Sequence, residues 1–387
     1  MALYAGTVAA YADMYVTQPV LPLLSREFGV GPARAGLTVS AVVLAIAATS
    51  SAYGPLSDAL GRRRVMAGAT AALAVATLAC AFAPGFGALV ALRAVQGALV
   101  PGMTAVSVAY AGDRFAPHEL GPAVGGIIAA SVVGGLVGRV VSGAVAAHLG
   151  WRAAFVVVAV LTAAAALAVA RGLAPGARSR LGWRRAYGGM LAHFREPRLV
   201  GAFLVALALF FGWIGIFTYL PYRLSAPPYR LGTGTISSVY LVYAAGVLVS
   251  PIAGRLSARV PHRTIIAVGL AVEAAGMAIV LARPLPLVVI GLVVLVLGTM
   301  TAQAVAPAFV NLTAREAKGG ANALYLSLYY LGGTLGASLP GLAWEARGWP
   351  GVVAICGAAV AVGLAANAFL CGRAPAAAAA DAPPSPR

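Results

Sequence analysis

Long apolar runs alternate with short polar segments along the whole chain. The runs lie near residues 3–24, 35–56, 65–83, 87–110, 121–147, 152–172, 199–222, 236–256, 264–282, 286–311, 320–342 and 350–371. Each is about 19 to 27 residues long, enough to cross the hydrocarbon core of a bilayer as a helix that rises 1.5 Å per residue. A transmembrane barrel would instead show alternating segments of about ten residues. The pattern therefore predicts an all-α membrane protein with twelve transmembrane helices.

The composition agrees with this pattern. Hydrophobic residues make up 61% of the 387 positions and charged residues only 10%, which leaves too little polar surface to cover a soluble globule. The first run is predicted to be a span rather than a cleaved signal peptide, because it lacks a basic segment at its start and contains Asp13, Gln18 and Pro19. The cysteines lie within apolar runs and the histidines are scattered, so neither disulfides nor a metal site is expected.

The net charge of +17 comes from basic residues whose density alternates from loop to loop. With the N-terminus placed in the cytoplasm, the inside loops and tail hold 18 of the 27 basic residues and the outside loops hold 7. This bias predicts a multi-pass protein of the cell (inner or plasma) membrane with both termini in the cytoplasm. Because topology accounts for the charge, no nucleic-acid partner is expected.

An internal repeat divides the chain into two halves. A shift of 198 positions places Gly134, Gly135, Gly138, Gly143, Gly150 and Trp151 on Gly332, Gly333, Gly336, Gly341, Gly348 and Trp349. We therefore expect two six-helix halves at residues 1–172 and 199–372. An arginine-rich cytoplasmic linker at 173–198 would join them, and a disordered tail would follow at 373–387. A substrate site, if the protein has one, is expected between such parallel repeats.

Two motifs resemble those of the major facilitator superfamily. The segment 54–64, Gly-Pro-Leu-Ser-Asp-Ala-Leu-Gly-Arg-Arg-Arg, is similar to that family's loop motif between spans two and three. Span four carries Arg93 and Gln96 in the spacing of the family's second motif, and Gly-Trp-Arg at 150–152 opens span six as it often does there. The resemblance implies a twelve-helix bundle around a central cavity that opens alternately to each side of the membrane.

Within the family, the chain resembles the twelve-span bacterial efflux branch for drugs and sugars. Drug-proton antiporters of the superfamily carry a glycine-rich motif in span five that ends near Gly-Pro. This chain has Arg139 and Val140 at the corresponding pair, although the glycines at 126, 135 and 143 are retained. The departure leaves the direction of transport open.

The loop motif also suggests a conformational latch. Gly54 and Gly61 permit close backbone packing and a sharp turn. Asp58 can pair with Arg62 four residues later or cap the next helix, and Asp113 at the end of span four is a further candidate partner, as in similar family members. Such a cluster would hold the halves together on the cytoplasmic side and break when the cavity opens there. The alternative is that the basic residues only anchor the topology.

Four ionisable residues lie within the predicted spans, and such residues are costly in a membrane unless they pair or face water. They are Asp13, Arg93, Arg139 and Glu273. The estimated depths of the first three overlap, so mutual contact is possible. Asp13 is the predicted proton-coupling group. The alternative is that Asp13 is a buried partner of one of the arginines and has no role in proton transfer. Glu273, in a span that is peripheral in the resembled family, is expected to be structural or lipid-adjacent and protonated.

The second half offers aromatic residues where the first half has charges. We therefore predict a substrate site with one ionic and one aromatic wall, suited to an amphiphilic organic molecule or an anion that carries a ring. The alternative for each of these residues is helix packing. The candidate substrate-binding residues are Gln18, Arg93, Gln96, Arg139, Phe211, Trp213, Phe217, Tyr240, Tyr243, Tyr325 and Tyr329.

These features predict a secondary active transporter that exports a small organic compound in exchange for protons. An intramembrane enzyme is not expected, because no paired carboxylates or histidine cluster of the needed kind is visible. No phosphate-binding loop is present, so the proton gradient is the expected energy source and no cofactor is expected. Proton-coupled uptake of an organic anion and a non-transporting receptor or scaffold are the alternatives. Protons, a small-molecule substrate and membrane lipids are the expected partners of a functional monomer.

Overall fold

The computed structural model describes residues 1–174, 190–314 and 318–372, and these form a helical bundle. The predicted disordered tail and most of the predicted linker, residues 175–189, lie outside the described residues. The first half contains α1 (Ala2–Tyr15), α2 (Leu21–Phe28), α3 (Pro32–Leu60), α4 (Arg62–Ala81), α5 (Phe86–Arg114) and α6 (Pro117–Gly172). The second half contains α7 (Pro197–Ser225), α8 (Thr233–Val239), α9 (Ala244–Leu256), α10 (His262–Ile279), α11 (Leu285–Thr313) and α12 (Lys318–Phe369).

Two of these helices are each long enough for two spans and bend sharply at a glycine. Gly150 interrupts α6 with φ of 81° and Gly348 interrupts α12 with φ of 62°. Both angles lie in the left-handed region, which glycine adopts without a side-chain clash. The two bends are 198 positions apart, as the repeat predicts.

Nine helices among the described residues are long and apolar enough to cross a membrane. Counting both bent helices twice and adding the interrupted first span gives an architecture compatible with twelve spans. The helices agree with the predicted all-α class.

The first and eighth predicted spans are not continuous α-helices, and this corrects their extents of 3–24 and 236–256. Short 3₁₀ turns at Gln18–Val20 and Tyr240–Tyr243 separate α1 from α2 and α8 from α9. In the first span the cause is local, since Pro19 has no backbone N–H to donate to the Tyr15 carbonyl. Each turn has a fully buried side chain, Gln18 in the first and Tyr240 in the second.

The same helix contact occurs in each half. Gly134 and Gly138 of α6 lie against the backbone of Val8 and Ala12 in α1. Their counterparts in the repeat make the same contact, with Gly332 and Gly336 of α12 lying against Leu207 and Phe211 of α7. The absence of a side chain on these glycines allows such close backbone approach. The contacts align α1 with α7 at an offset of 199 and α6 with α12 at 198.

The halves contact each other at the end predicted to face outward. The hydroxyls of Ser25 and Tyr222 are 2.6 Å apart, and the Ser40 hydroxyl donates to the Thr334 carbonyl oxygen at 2.9 Å. Close to this end, Glu27 accepts hydrogen bonds from Trp151 and Arg152. The hydrogen bond from Arg152 lowers the pKa of the Glu27 carboxyl.

Candidate functional site

Arg139 lies where the two halves meet and beside both interrupted spans. It projects from α6 and is 1% exposed. Its Nε donates to Gln18 Oε1 at 2.7 Å, and its Nη1 donates to the Gly135 carbonyl oxygen at 2.7 Å. The Gln18 amide also donates to the Thr218 hydroxyl in α7 at 3.1 Å, so this network joins the two halves.

Three tyrosine rings surround the Arg139 guanidinium. Its central carbon lies 3.7 Å from the ring centre of Tyr15, 4.4 Å from that of Tyr243 and 5.5 Å from that of Tyr240. A guanidinium at such distances is attracted by the ring faces, and each contact is worth about 0.5–2 kcal/mol. The predicted ionic and aromatic walls therefore meet around one side chain.

Two further predicted aromatic residues extend this cluster. The ring of Trp213 is 4.6 Å from that of Tyr243, and the ring of Phe217 is also 4.6 Å from that of Tyr243. The Tyr240 hydroxyl donates to the Phe217 carbonyl oxygen at 2.9 Å. We call Arg139 together with Tyr15, Trp213, Phe217, Tyr240 and Tyr243 the arginine cage.

Several polar atoms of this region are buried without a hydrogen-bond partner among the described residues. They are Nη2 of Arg139, the hydroxyl of Tyr243 and the hydroxyl of Thr17. An unmade hydrogen bond on a buried group costs about 1–3 kcal/mol, and more when the group is charged. The described ion pairs also leave Arg139 without a carboxylate partner. The arginine cage can therefore donate hydrogen bonds to an oxygen-bearing ligand.

Asp13 lies in a second polar cluster that is contained within the first half. Its carboxylate accepts hydrogen bonds from Thr162 at 2.6 Å, from Thr77, and from the Gln96 amide at 3.4 Å. The side chain is fully buried. The described ion pairs do not join the Asp13 carboxylate to Arg93 or Arg139, and Arg93 instead contacts Asp13 through its backbone carbonyl oxygen. We call Asp13, Thr77, Gln96 and Thr162 the aspartate cluster.

Arg93 holds the backbone next to the aspartate cluster. Its guanidinium donates to the carbonyl oxygens of Asp13 and Met14 at 2.7 Å each and to that of Thr38 at 3.1 Å. A fourth bond goes to Gln96 Oε1 at 2.8 Å. Since Arg93 is fully buried, these contacts describe a brace at the end of α1. A substrate contact by Arg93 stays a prediction.

The remaining predicted aromatic residues lie outside the arginine cage. The Tyr329 ring stacks on Phe210 at 4.0 Å, and the rings of Tyr325 and Tyr329 are 6.4 Å apart. The Tyr325 hydroxyl donates to Gln303 Oε1 at 3.4 Å. Phe211 is buried where the α7 backbone meets Gly336, which is a packing position.

The predicted latch residues form a cluster around Arg62. Its Nη2 is 3.2 Å from Asp58, and its Nε pairs with Asp113. Gly61 makes the turn with φ of 93°. A side chain at Gly54 would meet nothing within 4 Å, so the expected close packing at Gly54 is wrong for this conformation. All these residues belong to α3, α4, α5 and their connection, so the cluster lies within the first half.

Glu273 of α10 is fully buried, which excludes the lipid-adjacent position that was one expectation for it. Sequence analysis missed several residues that contact the predicted ones, namely Tyr15, Thr77, Thr162 and Thr218. The threonines carried a weak signal, since each is a polar side chain within an apolar run. Tyr15 gave none, because its role depends on the way Arg139 crosses from α6.

Sequence comparison with known proteins shows which family this chain is similar to. A sequence model of the Major Facilitator Superfamily matches residues 3–226 and 229–386. The uncharacterized MFS-type transporter YybF of Bacillus subtilis is 29% identical over 355 residues, which are 91% of this chain and 88% of that protein. The inner membrane transport protein YnfM of Escherichia coli is also 29% identical over 355 residues, covering 91% and 85%.

A solved structure extends the likeness to the fold. The crystal structure of a D-xylose-proton symporter superposes with a TM-score of 0.78 over 95% of each chain, at 15% sequence identity.

Proposed function

The chain belongs to the Major Facilitator Superfamily and is a multi-pass membrane transporter, and from this premise we propose that it moves a small organic solute by alternating access, with export in exchange for protons. The observation that carries the proposal is the arginine cage. It lies between the halves and draws side chains from both, so a ligand bound there contacts both as they move. The cage combines a cation, rings and free hydrogen-bond donors, which suits a molecule with an oxygen-bearing group and an apolar part.

Proton coupling is assigned to the aspartate cluster because its threonines have alternative acceptors. Thr162 lies 2.6 Å from the Asp13 carboxylate and 2.9 Å from the Val158 carbonyl oxygen. Thr77 likewise reaches both Asp13 and the Leu73 carbonyl oxygen. When Asp13 is ionised, both hydroxyls donate to it. When Asp13 is protonated, its single O–H donates to one of these hydroxyl oxygens, whose own hydrogen then turns to the helix carbonyl, while the other hydroxyl still donates to the second carboxyl oxygen. The cluster thus accommodates both protonation states without an unpaired group.

Alternation requires the halves to close at one end while they part at the other. The contacts at Ser40 and Tyr222 close the predicted outer end here. We infer that the solute path opens at the opposite, predicted cytoplasmic side, where the Arg62 cluster makes its described ion pairs within one half. We propose that this cluster joins a latch between the halves after they close there. The protein would act as a monomer in the inner membrane with both termini in the cytoplasm.

Uptake of an organic anion together with protons is the second candidate. The observation that favours it is the buried Arg139 charge, which no described carboxylate neutralises. An anion in the arginine cage would supply the missing charge. Under this candidate, substrate and proton travel in the same direction rather than in opposite directions.

A pH-gradient experiment separates the two candidates. Purified protein is first screened by thermal shift against metabolites and drugs, and a stabilising compound is labelled. Proteoliposomes with an acidic lumen and alkaline bath are then incubated with this compound. Exchange for protons predicts accumulation inside the vesicles, whereas co-transport predicts accumulation only when the gradient is reversed. If neither gradient drives accumulation of a compound that binds, the proposed proton coupling is contradicted.

A further inference from the structure

The second half contains a buried carboxyl that the proposed transport cycle does not use. Glu273 lies in α10, and neither of its carboxyl oxygens has a hydrogen-bond partner among the described residues. Its Oε1 fills the space next to Gly212 of α7, 2.9 Å from where a side-chain carbon on that glycine would lie. The same space is bounded by Met277 and Val360. An ionised carboxylate in this environment would be both desolvated and unpaired.

This location is the counterpart of the Asp13 position. The offset of 199 that superposes the α1 and α7 contacts places Asp13 on Gly212. The Asp13 carboxylate points toward α4, whereas the space beside Gly212 is filled by Glu273 from α10, the helix that corresponds to α4. Each half therefore buries one carboxyl between its first and third spans. In the first half the carboxyl belongs to the first span, as Asp13 of α1, and in the second half it belongs to the third span, as Glu273 of α10.

The surroundings of the two carboxyls differ in their hydrogen-bond donors. The helices α4 and α10 begin 200 positions apart, at Arg62 and His262, which places Thr77 on Met277. The offset of 198 for α6 and α12 places Thr162 on Val360, so both hydroxyls that donate to Asp13 are replaced by apolar groups. The polar side chain close to Glu273 is Thr299 of α11, which lies outside hydrogen-bond geometry with either carboxyl oxygen. These replacements leave no counterpart of the donors that stabilise an ionised Asp13.

Thr299 makes no hydrogen bond to Glu273 in the described geometry. Its hydroxyl already donates its hydrogen to the Leu295 carbonyl oxygen at 3.0 Å. No described donor therefore lies within hydrogen-bond geometry of the Glu273 carboxyl to stabilise its ionised form. The titratable neighbour from α12 is Cys356, and no described ion pair involves Glu273. Burying an unpaired carboxylate costs several kcal/mol, which protonation avoids.

We propose that Glu273 is a second proton-binding site of this transporter, occupied by a proton in the described conformation and equivalent in position to Asp13. The site adjoins the wall of the arginine cage. Gly212 precedes Trp213, whose ring contacts Tyr243, and Tyr243 lies over Arg139. A change of protonation at Glu273 would alter packing directly behind this wall.

Infrared spectroscopy measures the protonation state directly. The full-length protein is produced with ¹³C-carboxyl glutamate, reconstituted in lipid and measured at pH 6, 7 and 8. All three values lie well above the usual glutamate pKa of about 4.3, so an ordinary glutamate is ionised throughout. A protonated acid gives a C=O stretch that is separate from the carboxylate bands, and the isotope marks it as glutamate. The other described glutamates are at least partly exposed, so among the described glutamates a protonated band is expected from Glu273 alone.

Two variants identify the source of the band. Glu273→Gln preserves the shape of the neutral acid and should fold, and it should remove the band. Asp13→Asn removes the other buried carboxyl and should leave the labelled glutamate band unchanged. Only carboxylate bands in the wild-type protein at pH 6, or a protonated band that persists in Glu273→Gln, would overturn the proposal. Neither outcome depends on transport, so the proposal and the proposed function can fail separately.

Discussion

Arg139 carries a buried charge whose remaining hydrogen-bond donor has no described partner. If the substrate completes this site, Arg139→Ala should weaken substrate binding by about 10- to 10²-fold, because a hydrogen bond to a charged group is worth about 1.5–3 kcal/mol. Arg139→Lys should also bind weakly, since an ammonium cannot bond Gln18, Gly135 and ligand in the planar geometry of a guanidinium. Isothermal titration calorimetry measures both affinities.

Arg152→Ala is the matched control for the loss of an arginine. Arg152 is exposed and pairs with Glu27 near the outer end, away from the cage. Its removal should leave substrate affinity unchanged. If Arg139→Ala folds and binds as tightly as Arg152→Ala, Arg139 is a packing residue.

Asp13→Asn tests proton coupling at the residue that the threonines surround. The asparagine amide keeps the size of the side chain but cannot bind and release a proton near neutral pH. The variant should still exchange substrate at equal concentrations on both sides and should lose accumulation driven by a pH gradient. Transport of labelled substrate in proteoliposomes measures both properties. Continued uphill transport in Asp13→Asn under a proton gradient alone would remove Asp13 from the coupling mechanism.

Arg93 donates hydrogen bonds to backbone carbonyl oxygens near the interruption of the first span. Arg93→Leu would leave the carbonyl oxygens of Asp13, Met14 and Thr38 without these donors. Each buried unsatisfied group costs about 1–3 kcal/mol, so a loss of several kcal/mol in unfolding free energy is expected. Denaturant unfolding in detergent measures it. A fully stable Arg93→Leu that fails to bind substrate would instead support the substrate contact predicted from sequence.

The helices were predictable where the apolar pattern alone determines them, and their interruptions were not. The repeat of Gly150 and Gly348 was visible at one offset, and both glycines bend their helices. Pro19 indicated a possible break in span one, but the length of the run concealed it. The 3₁₀ turn at Tyr240–Tyr243 contains neither glycine nor proline, so no local rule identifies it.

The sequence indicated which residues form the sites but not which residues they contact. Asp13, Arg93 and Arg139 could be identified from the sequence because each is a charged residue within a long apolar run. Their pairing could not be derived, because estimated depth fixes height along a helix and not the direction in which a side chain points. Tyr15 and Tyr243 approach Arg139 from different halves, and this contact depends on how the halves dock.

At the scale of the molecule, the account requires the outer end to open during transport. The hydroxyls of Ser40 in α3 and Ser338 in α12 are 2.5 Å apart. A disulfide between Ser40→Cys and Ser338→Cys should therefore hold the outer end closed and stop transport, with recovery after reduction. Each single cysteine variant should transport normally under oxidation. Full transport by the verified cross-linked protein would contradict alternation at this end.

The most direct test of the central claim, that this chain carries a solute through a site containing Arg139, is counterflow in proteoliposomes. Vesicles are loaded with excess unlabelled ligand, and labelled ligand is added outside at low concentration. A carrier should concentrate the label transiently inside, and the account predicts this overshoot for the wild-type protein and Asp13→Asn but not for Arg139→Ala. If a ligand that binds the wild-type protein with high affinity gives no overshoot, the protein binds it as a receptor or scaffold and the claim is contradicted.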